Sequence, residues 1–155
     1  MASNALQYHL NEAPAVYETP HFLMLVRDNR HSNPLDRIGA VRQGFAVEII
    51  DDMSTALGLS KARTLEIIDL APTTEARLRK KQQPLDQATS EKIDRIAEFV
   101  ALADDVLGSR ESGIKWLLTP NLALANATPM SLLDVAVGAE QVRRILNAIS
   151  YGGAF

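Results

Sequence analysis

The segment Ser60–Gln82 reads "SKARTLEIIDLAPTTEARLRKKQ" and decides the predicted fold. Ser60 is a favourable N-cap for a helix over Lys61–Asp69. The triplet "LAP" then interrupts the helical pattern, because proline lacks the N–H of a helix interior and its ring clashes with the preceding turn. A second short helix, "TEARLRKKQ", follows with Thr73 as its expected cap. Two short helices joined by a tight turn are typical of a helix-turn-helix.

The second helix of this pair carries the strongest local positive charge. Four of the five residues in "RLRKK", Arg77–Lys81, are basic. In helix-turn-helix proteins the second helix enters the DNA major groove. We therefore expect Arg77 to read a guanine with its guanidinium fork, the threonines at the helix start to meet a phosphate or base edge, and the other cations to hold phosphates. The predicted DNA-binding residues are Thr73, Thr74, Arg77, Arg79, Lys80 and Lys81.

Charge alone leaves an alternative open for this helix. The chain has a net charge of −3, so any DNA binding depends on a local basic patch. Lys61 and Arg63 on the preceding helix could add contacts to the DNA backbone. The basic helix could also be a solvated face whose charge is balanced by the nearby acids Glu66, Asp69 and Glu75.

Helical patterns continue on both sides of the pair. Pro34 and Gly44 bound a predicted helix over Leu35–Gln43; its Leu35, Ile38 and Val41 are expected to face inward. The other predicted helices are Phe45–Leu57, Thr89–Leu107, a short helix carrying Ile114 to Leu118, one that begins at Thr128-Pro129 and ends at Gly138, and Ala139–Ser150. The apolar residues at helical spacing in Thr89–Leu107 are expected to face inward: Ile93, Ile96, Ala97, Val100, Ala103 and Leu107. With about eight helices and no β-hairpin signal, the sequence predicts an all-α fold.

The first 33 residues have a mixed character, and we interpret them as an arm. Their one apolar run, "FLMLV" at Phe22–Val26, is too short to assign by its period, and it could be a strand or a docked segment. The following "RDNRHSNP" is expected to be a loop that ends at Pro34.

The histidines and the paired aspartates of the sequence do not have the spacing that catalysis or metal binding requires. His9, His21 and His31 lack the spacing of metal ligands. Asp51-Asp52 and Asp104-Asp105 are adjacent pairs, which point about 100° apart on a helix and cannot share a proton. The sequence contains no phosphate-binding loop and no nucleophile elbow. We expect no enzyme activity, no metal and no cofactor.

Chain length, cysteine content and the length of the apolar runs limit the class of protein that the sequence can encode. The chain of 155 residues suits one ordinary domain or two small units that share a core. It has no cysteine, which fits a cytoplasmic protein. No apolar run approaches the roughly 18 residues that a membrane helix needs.

The last five residues, "YGGAF", differ from the helix before them. Gly152-Gly153 cannot extend a helix cheaply, because each glycine costs up to about 1 kcal/mol relative to alanine. The tail therefore leaves the helix and presents Tyr151 and Phe155. It could be a frayed terminus or a docking element.

These motifs, in this order, resemble the MbcA/ParS/Xre antitoxins. The C-terminal motifs are Trp116-Leu117, Pro120-Asn121, Leu124 to Asn126, Thr128-Pro129, Leu132-Leu133, Gly138, Val142, Leu146 and Tyr151-Gly152. The central motifs are "LGLS" at Leu57 to Ser60, the helix start at Pro72 to Arg77, and Leu85 to Ser90. One departure is "LANATP", where the family usually has Leu-Gly-Gly before its Arg-Pro or Thr-Pro.

The resemblance implies a type II antitoxin with two tasks. The C-terminal domain would bind a RES-domain toxin, an enzyme that degrades NAD⁺, and block its active site. The helix-turn-helix would bind the operon's own promoter as a homodimer and repress it. The expected division is an arm at 1–34, a DNA-binding and dimerisation domain at 35–104, and a toxin-binding domain at 105–155.

Within the last domain, the resemblance implies a platform and a plug. The expected platform residues are Trp116, Leu117, Leu132, Val142 and Leu146. The expected toxin-binding residues are Tyr151, Gly152, Gly153, Ala154 and Phe155. A transcriptional regulator with a helix-turn-helix and no toxin partner remains the alternative.

Overall fold

A computed structural model describes residues 21–152, which form an all-α fold. Over this range there are eight α-helices and two short 3₁₀ helices, η1 and η2. The α-helices are α1 (Phe22–His31), α2 (Pro34–Gln43), α3 (Ile49–Leu57), α4 (Lys61–Ile67), α5 (Pro72–Lys81), α6 (Gln87–Leu107), α7 (Arg110–Leu118) and α8 (Ala136–Ser150). The 3₁₀ helices are η1 (Leu122–Leu124) and η2 (Pro129–Leu132). The predicted fold class is confirmed.

The long helix α6 is the centre of the molecule. Asp86 caps it by accepting a hydrogen bond from the Thr89 backbone N–H at 2.8 Å. Five of its six predicted inward residues are buried, namely Ile93, Ile96, Ala97, Val100 and Ala103, and the sixth, Leu107, is half-buried. Helices α1, α2, α7 and α8 pack on it, and one hydrophobic cluster extends from Phe22 to Leu146. The expected domain boundary at 104/105 lies inside this helix.

Helix α1 corrects the expectation of an arm and a loop for residues 21–31; residues 1–20 of the predicted arm lie outside the described residues. Phe22, Leu25 and Val26 are buried, so "FLMLV" is a docked helical segment and not a strand. The helix continues through "RDNRH", where a loop was predicted. It persists there because Arg30 binds α6, donating to the Ala101 carbonyl at 3.1 Å and pairing with Asp105 at 2.9 Å.

Helix α2 has the predicted bounds but the opposite orientation. Leu35 is 71% exposed and Ile38 is 44% exposed, so the prediction that they face inward is wrong. Arg37 determines which face meets α6, because its guanidinium lies 2.6 Å from the Asp94 carboxylate. Val41, on the same side as Arg37, is partly buried against the core.

The predicted helix from Phe45 to Leu57 begins later, at Ile49. Gly44 adopts φ 86°, and a Cβ there would overlap the Leu85 carbonyl oxygen. The chain next to it is held extended: the Phe45 N–H donates to the Ser90 Oγ at 2.9 Å, and the Phe45 carbonyl accepts from the Leu85 N–H at 2.8 Å. Phe45 is therefore buried without being helical.

The C-terminal segment corrects the role of Gly138. Thr128 caps a helix start as predicted, accepting from the Ser131 N–H at 3.2 Å, but that helix is only the four-residue η2. Gly138 does not end it and instead lies inside α8. A Cβ at Gly138 would overlap the Leu132 carbonyl oxygen, so this glycine lets α8 pack directly on η2.

No single helix in residues 21–152 is long and apolar enough to cross a bilayer. Leu122–Leu132 and Ala136–Ser150 meet that test only as a pair bent by 120°.

Candidate functional site

Helices α4 and α5 form the predicted helix-turn-helix. Ser60 caps α4 as expected, accepting from the Arg63 N–H at 3.1 Å. Asp69, at φ 55°, makes the turn. The expected Thr73 cap is wrong: Ala71 is the N-cap and Pro72 is the first helical residue, where a missing N–H costs nothing.

The predicted DNA-binding residues divide into two groups on α5. Four of them are exposed and follow i, i+4, i+7 and i+8 spacing, which places them on one helix face: Thr73, Arg77, Lys80 and Lys81. No carboxylate within residues 21–152 pairs with the three cations of this group. Thr74 is half-buried at the edge of the face. Arg79 points elsewhere and is partly buried.

Arg79 belongs to a closed ion-pair ring of four residues, Asp51, Lys61, Glu75 and Arg79. Glu75 Oε1 lies 2.7 Å from Arg79 Nη2 and 2.9 Å from Lys61 Nζ. Asp51 completes the ring, with Oδ2 2.9 Å from Arg79 Nη2 and Oδ1 3.5 Å from Lys61 Nζ. The ring joins α3, α4 and α5, and it fixes the orientation of the basic helix.

Glu75 is the buried member of the ring, with 7% of its side chain exposed. Burial alone would raise the pKa of the Glu75 carboxyl, but hydrogen bonds from Lys61 and Arg79, and their charges, outweigh burial and lower the pKa. The pKa of Arg79 is raised, chiefly by its hydrogen bond to Glu75. Both groups are therefore held in their charged forms.

The ion pairs show which of the basic residues are balanced by nearby acids. Glu75 does balance the basic helix, but it neutralises only Arg79 and, on α4, Lys61. Glu66 pairs with Arg63 on its own helix at 2.8 Å. Asp51 was missed, because its contact with Arg79 bridges 28 positions along the chain and no local pattern signals it.

The C-terminal segment presents a second candidate surface of exposed apolar side chains. Leu122 is 86% exposed and Val137 is 75% exposed, and Val135 and Tyr151 are exposed as well. The expected platform residues Leu117, Val142 and Leu146 are buried in the hydrophobic core. Trp116 and Leu132 are partly buried against the core.

The tail leaves helix α8 where the sequence predicted. The helix ends at Ser150, and Gly152 adopts φ 83° while its N–H donates to the Ile149 carbonyl at 3.0 Å. Tyr151 is 92% exposed at this exit. Gly153, Ala154 and Phe155 lie outside the described residues.

The loop that carries Leu122 has a strained backbone. Ala125 and Asn126 adopt φ 54° and 66°, a left-handed conformation that is costly for residues other than glycine. Asn121 closes the loop, since its side chain accepts from the Ala123 N–H at 2.9 Å and its carbonyl accepts from the Asn126 N–H at 2.9 Å. The departure at "LANATP" thus places an alanine and an asparagine where the backbone favours glycine.

Polar contacts join α6 to α2, to α8 and to the segment that follows η2. Glu98 lies 2.6 Å from Arg143 of α8 and 3.9 Å from Arg37 of α2. The Arg143 guanidinium also stacks over the Phe99 ring, 4.9 Å from its centroid. Arg95 donates to the Leu133 carbonyl at 3.0 Å, just beyond η2. In residues 21–152, no cluster of three or more His, Asp or Glu side chains could hold a metal ion.

Two family models match the chain along most of its length. Residues 36–98 match the antitoxin Xre-like helix-turn-helix domain. Residues 102–152 match the antitoxin Xre/MbcA/ParS C-terminal toxin-binding domain.

The chain belongs to the Xre/MbcA/ParS-type antitoxins.

Curated relatives agree with this assignment. The antitoxin is 27% identical over 119 residues to an antitoxin Xre of Yersinia enterocolitica, covering 74% of this chain and 78% of the relative. It is 29% identical over 112 residues to an antitoxin Xre of Pseudomonas putida, covering 72% of this chain and 69% of the relative. It is 28% identical over 132 residues to a "Prs ADP-ribosylating antitoxin" of a Sphingobium species, covering 78% of this chain and 82% of the relative.

The structure adds two features to the family description of this antitoxin. The short interval between the two matched domains falls inside α6, so one helix serves both of them. Helix α1 lies outside both matches, yet Phe22 and Val26 are fully buried in the shared core.

Proposed function

We propose that this antitoxin neutralises a RES-domain toxin that degrades NAD⁺, by placing residues 151–155 in the toxin's active site. The observation that carries the proposal is the exposed exit of the tail: the toxin-binding match ends at residue 152, where Tyr151 is 92% exposed and a left-handed glycine turns the chain away from α8. The name of the Sphingobium relative supports the choice of toxin, because ADP-ribosylation consumes NAD⁺.

Exposed apolar side chains elsewhere in the toxin-binding domain would supply further contact area for the toxin. Residues at the centre of protein interfaces are usually apolar and lie beside polar rims. Leu122 and Val137 have most of their surface in solvent, and burying an exposed side chain of this size contributes about 1.5–3 kcal/mol. The strain at Ala125 fits a loop kept for binding, since strained backbone is concentrated at functional sites.

The second task proposed is repression of the antitoxin's own operon by a homodimer. Arg77 would read a base, and Thr73, Thr74, Lys80 and Lys81 would hold the DNA backbone or base edges. Arg79 would contribute mainly by holding α5 in its orientation through the ion-pair ring. Its Nε and Nη2 bind the ion-pair ring, while its Nη1 makes no hydrogen bond within residues 21–152 and is left for one phosphate.

Neither task requires catalysis or a cofactor on this chain, since the enzymatic chemistry belongs to the toxin. Both tasks place the antitoxin in the cytoplasm with the promoter.

Co-expression tests the toxin role. The antitoxin is expressed with the RES-domain protein encoded beside its gene, and cell growth and cellular NAD⁺ are measured. We expect the full chain to restore both, and a chain ending at Ser150 to restore them poorly. The matched control is Arg77→Ala, which should restore growth fully while losing promoter recognition. An RES-domain protein that is harmless alone, or is not rescued by the full chain, would favour the regulator without a toxin partner.

A further inference from the structure

The outward side of α2 has no role in the described fold. Leu35, Ile38, Gly39 and Arg42 are all exposed, and their i, i+3, i+4 and i+7 spacing places them on one face, called here the outward face of α2. The opposite side, which carries Arg37, binds α6. An amphipathic helix normally buries its apolar stripe, but α2 turns Leu35 and Ile38 to solvent.

Gly39 is the least expected residue on this face. It lies in the middle of α2, where glycine costs about 1 kcal/mol relative to alanine. At Gly44, Gly113 and Gly138 a Cβ would meet other atoms of the fold, but at Gly39 no heavy atom lies within 4 Å of the place a Cβ would occupy. Its φ is not in the left-handed region either. The described fold therefore does not need a glycine here, whereas a helix that approaches from outside would.

The charges along α2 complement each other when the helix meets a second copy of itself. If two α2 helices cross antiparallel with the two-fold axis at Gly39, residues equally far before and after Gly39 face each other. Asp36 and Arg42 are each three residues from Gly39. Asp36 then faces Arg42 of the partner subunit, and the pair occurs twice, as an isologous interface requires.

We propose that the outward face of α2 is the homodimer surface of this antitoxin, with Gly39 at the two-fold axis. Glycine allows the two backbones to approach closely, Leu35 and Ile38 pack beside the crossing, and Asp36 and Arg42 form two intermolecular ion pairs. The proposal deepens the proposed function, because a two-fold DNA operator requires a dimeric reader.

Charge reversal tests the surface directly on the full chain, without DNA or toxin. Sedimentation equilibrium gives the dimer dissociation constant of the wild type, Asp36→Arg, Arg42→Asp and the double variant. We expect each single variant to weaken the dimer about tenfold or more, and the double variant to return to within about threefold of the wild type. Residues six apart on a helix are not neighbours, so the recovery must come from contacts between subunits.

Two further variants separate this surface from general effects. Glu111→Arg makes the same charge change in the first turn of α7 and is expected to leave the dimer unchanged. Gly39→Leu should weaken the dimer while the helix content measured by circular dichroism stays the same or rises, because leucine favours helix formation.

The proposal is overturned by a wild-type chain that stays monomeric, by single variants that dimerise normally, or by a double variant that does not recover. If the wild type is monomeric and Asp36→Arg loses toxin binding, the outward face of α2 is a toxin-binding surface, and the dimer proposal is overturned. Promoter binding is measured separately. A wild-type dimer that does not bind the promoter would refute the DNA role, but it would not contradict the assignment of the dimer surface.

Discussion

Replacing Glu75 with glutamine removes the buried charge of the ion-pair ring and nearly preserves its shape. The two cations it binds, Lys61 and Arg79, would keep only Asp51, which is half exposed. Breaking a fully buried ion pair from one side costs about 3–5 kcal/mol. Because Lys61 and Arg79 are 43% and 33% exposed and can turn to water, we expect the smaller loss of about 1–3 kcal/mol, typical of a lost charged hydrogen bond.

The assay is urea unfolding at one protein concentration, followed by circular dichroism, and its matched control is Glu66→Gln. Glu66 also pairs with an arginine, at 2.8 Å, but both side chains are mostly exposed, so its loss should cost less than about 0.5 kcal/mol. If Glu75→Gln is no more destabilising than Glu66→Gln, the ring does not stabilise the arrangement of α3, α4 and α5.

The same ring predicts a pH dependence whose sign follows from Glu75. The folded-state pKa of Glu75 is lowered, so its carboxylate stabilises the fold at pH values above the unfolded value of about 4.3. That contribution is lost as the pH falls below about 4.3 and through the folded pKa. The stability difference between wild type and Glu75→Gln should therefore be constant at neutral pH and shrink in acid. A difference that is unchanged at acid pH would contradict the assignment.

Other predictions test individual residues. Arg77→Ala should reduce discrimination between the promoter and a scrambled sequence by about 1–3 kcal/mol in fluorescence anisotropy, and Lys80→Ala should weaken binding to both sequences and reduce the salt slope by about one. Ala125→Gly should raise the free energy of unfolding by about 0.5–1 kcal/mol, because the relief of left-handed strain outweighs the freedom that glycine adds to the unfolded chain; unchanged or lower stability would show that the loop is not strained. Leu122→Ser should leave the melting temperature unchanged, because the side chain is 86% exposed, and weaken toxin binding in calorimetry by about tenfold; normal toxin binding would exclude Leu122 from the interface.

Elements with local signals were predictable from the sequence. Capping at Ser60, the break before α5 and the buried stripe of α6 each depend on neighbours along the chain, and the structure agrees with all three. The exit of the tail at Gly152 was predictable for the same reason.

Features that depend on distant partners were not predictable. The orientation of α2 is set by Arg37 meeting Asp94, so its apolar residues alone gave the wrong inward face. Gly138 has the same sequence signature whether it ends a helix or permits close packing, and only the position of Leu132 decides between the two. The role of Asp51 in orienting the basic helix likewise depends on a contact across the fold.

The most direct test of the central account is inhibition of the purified toxin. NAD⁺ degradation by the RES-domain toxin is measured against increasing antitoxin, using the full chain and a chain that ends at Ser150, after circular dichroism confirms equal helix content. We predict stoichiometric inhibition by the full chain and at least tenfold weaker inhibition by the shortened chain. Equal inhibition by both chains would contradict the claim that the tail blocks the active site.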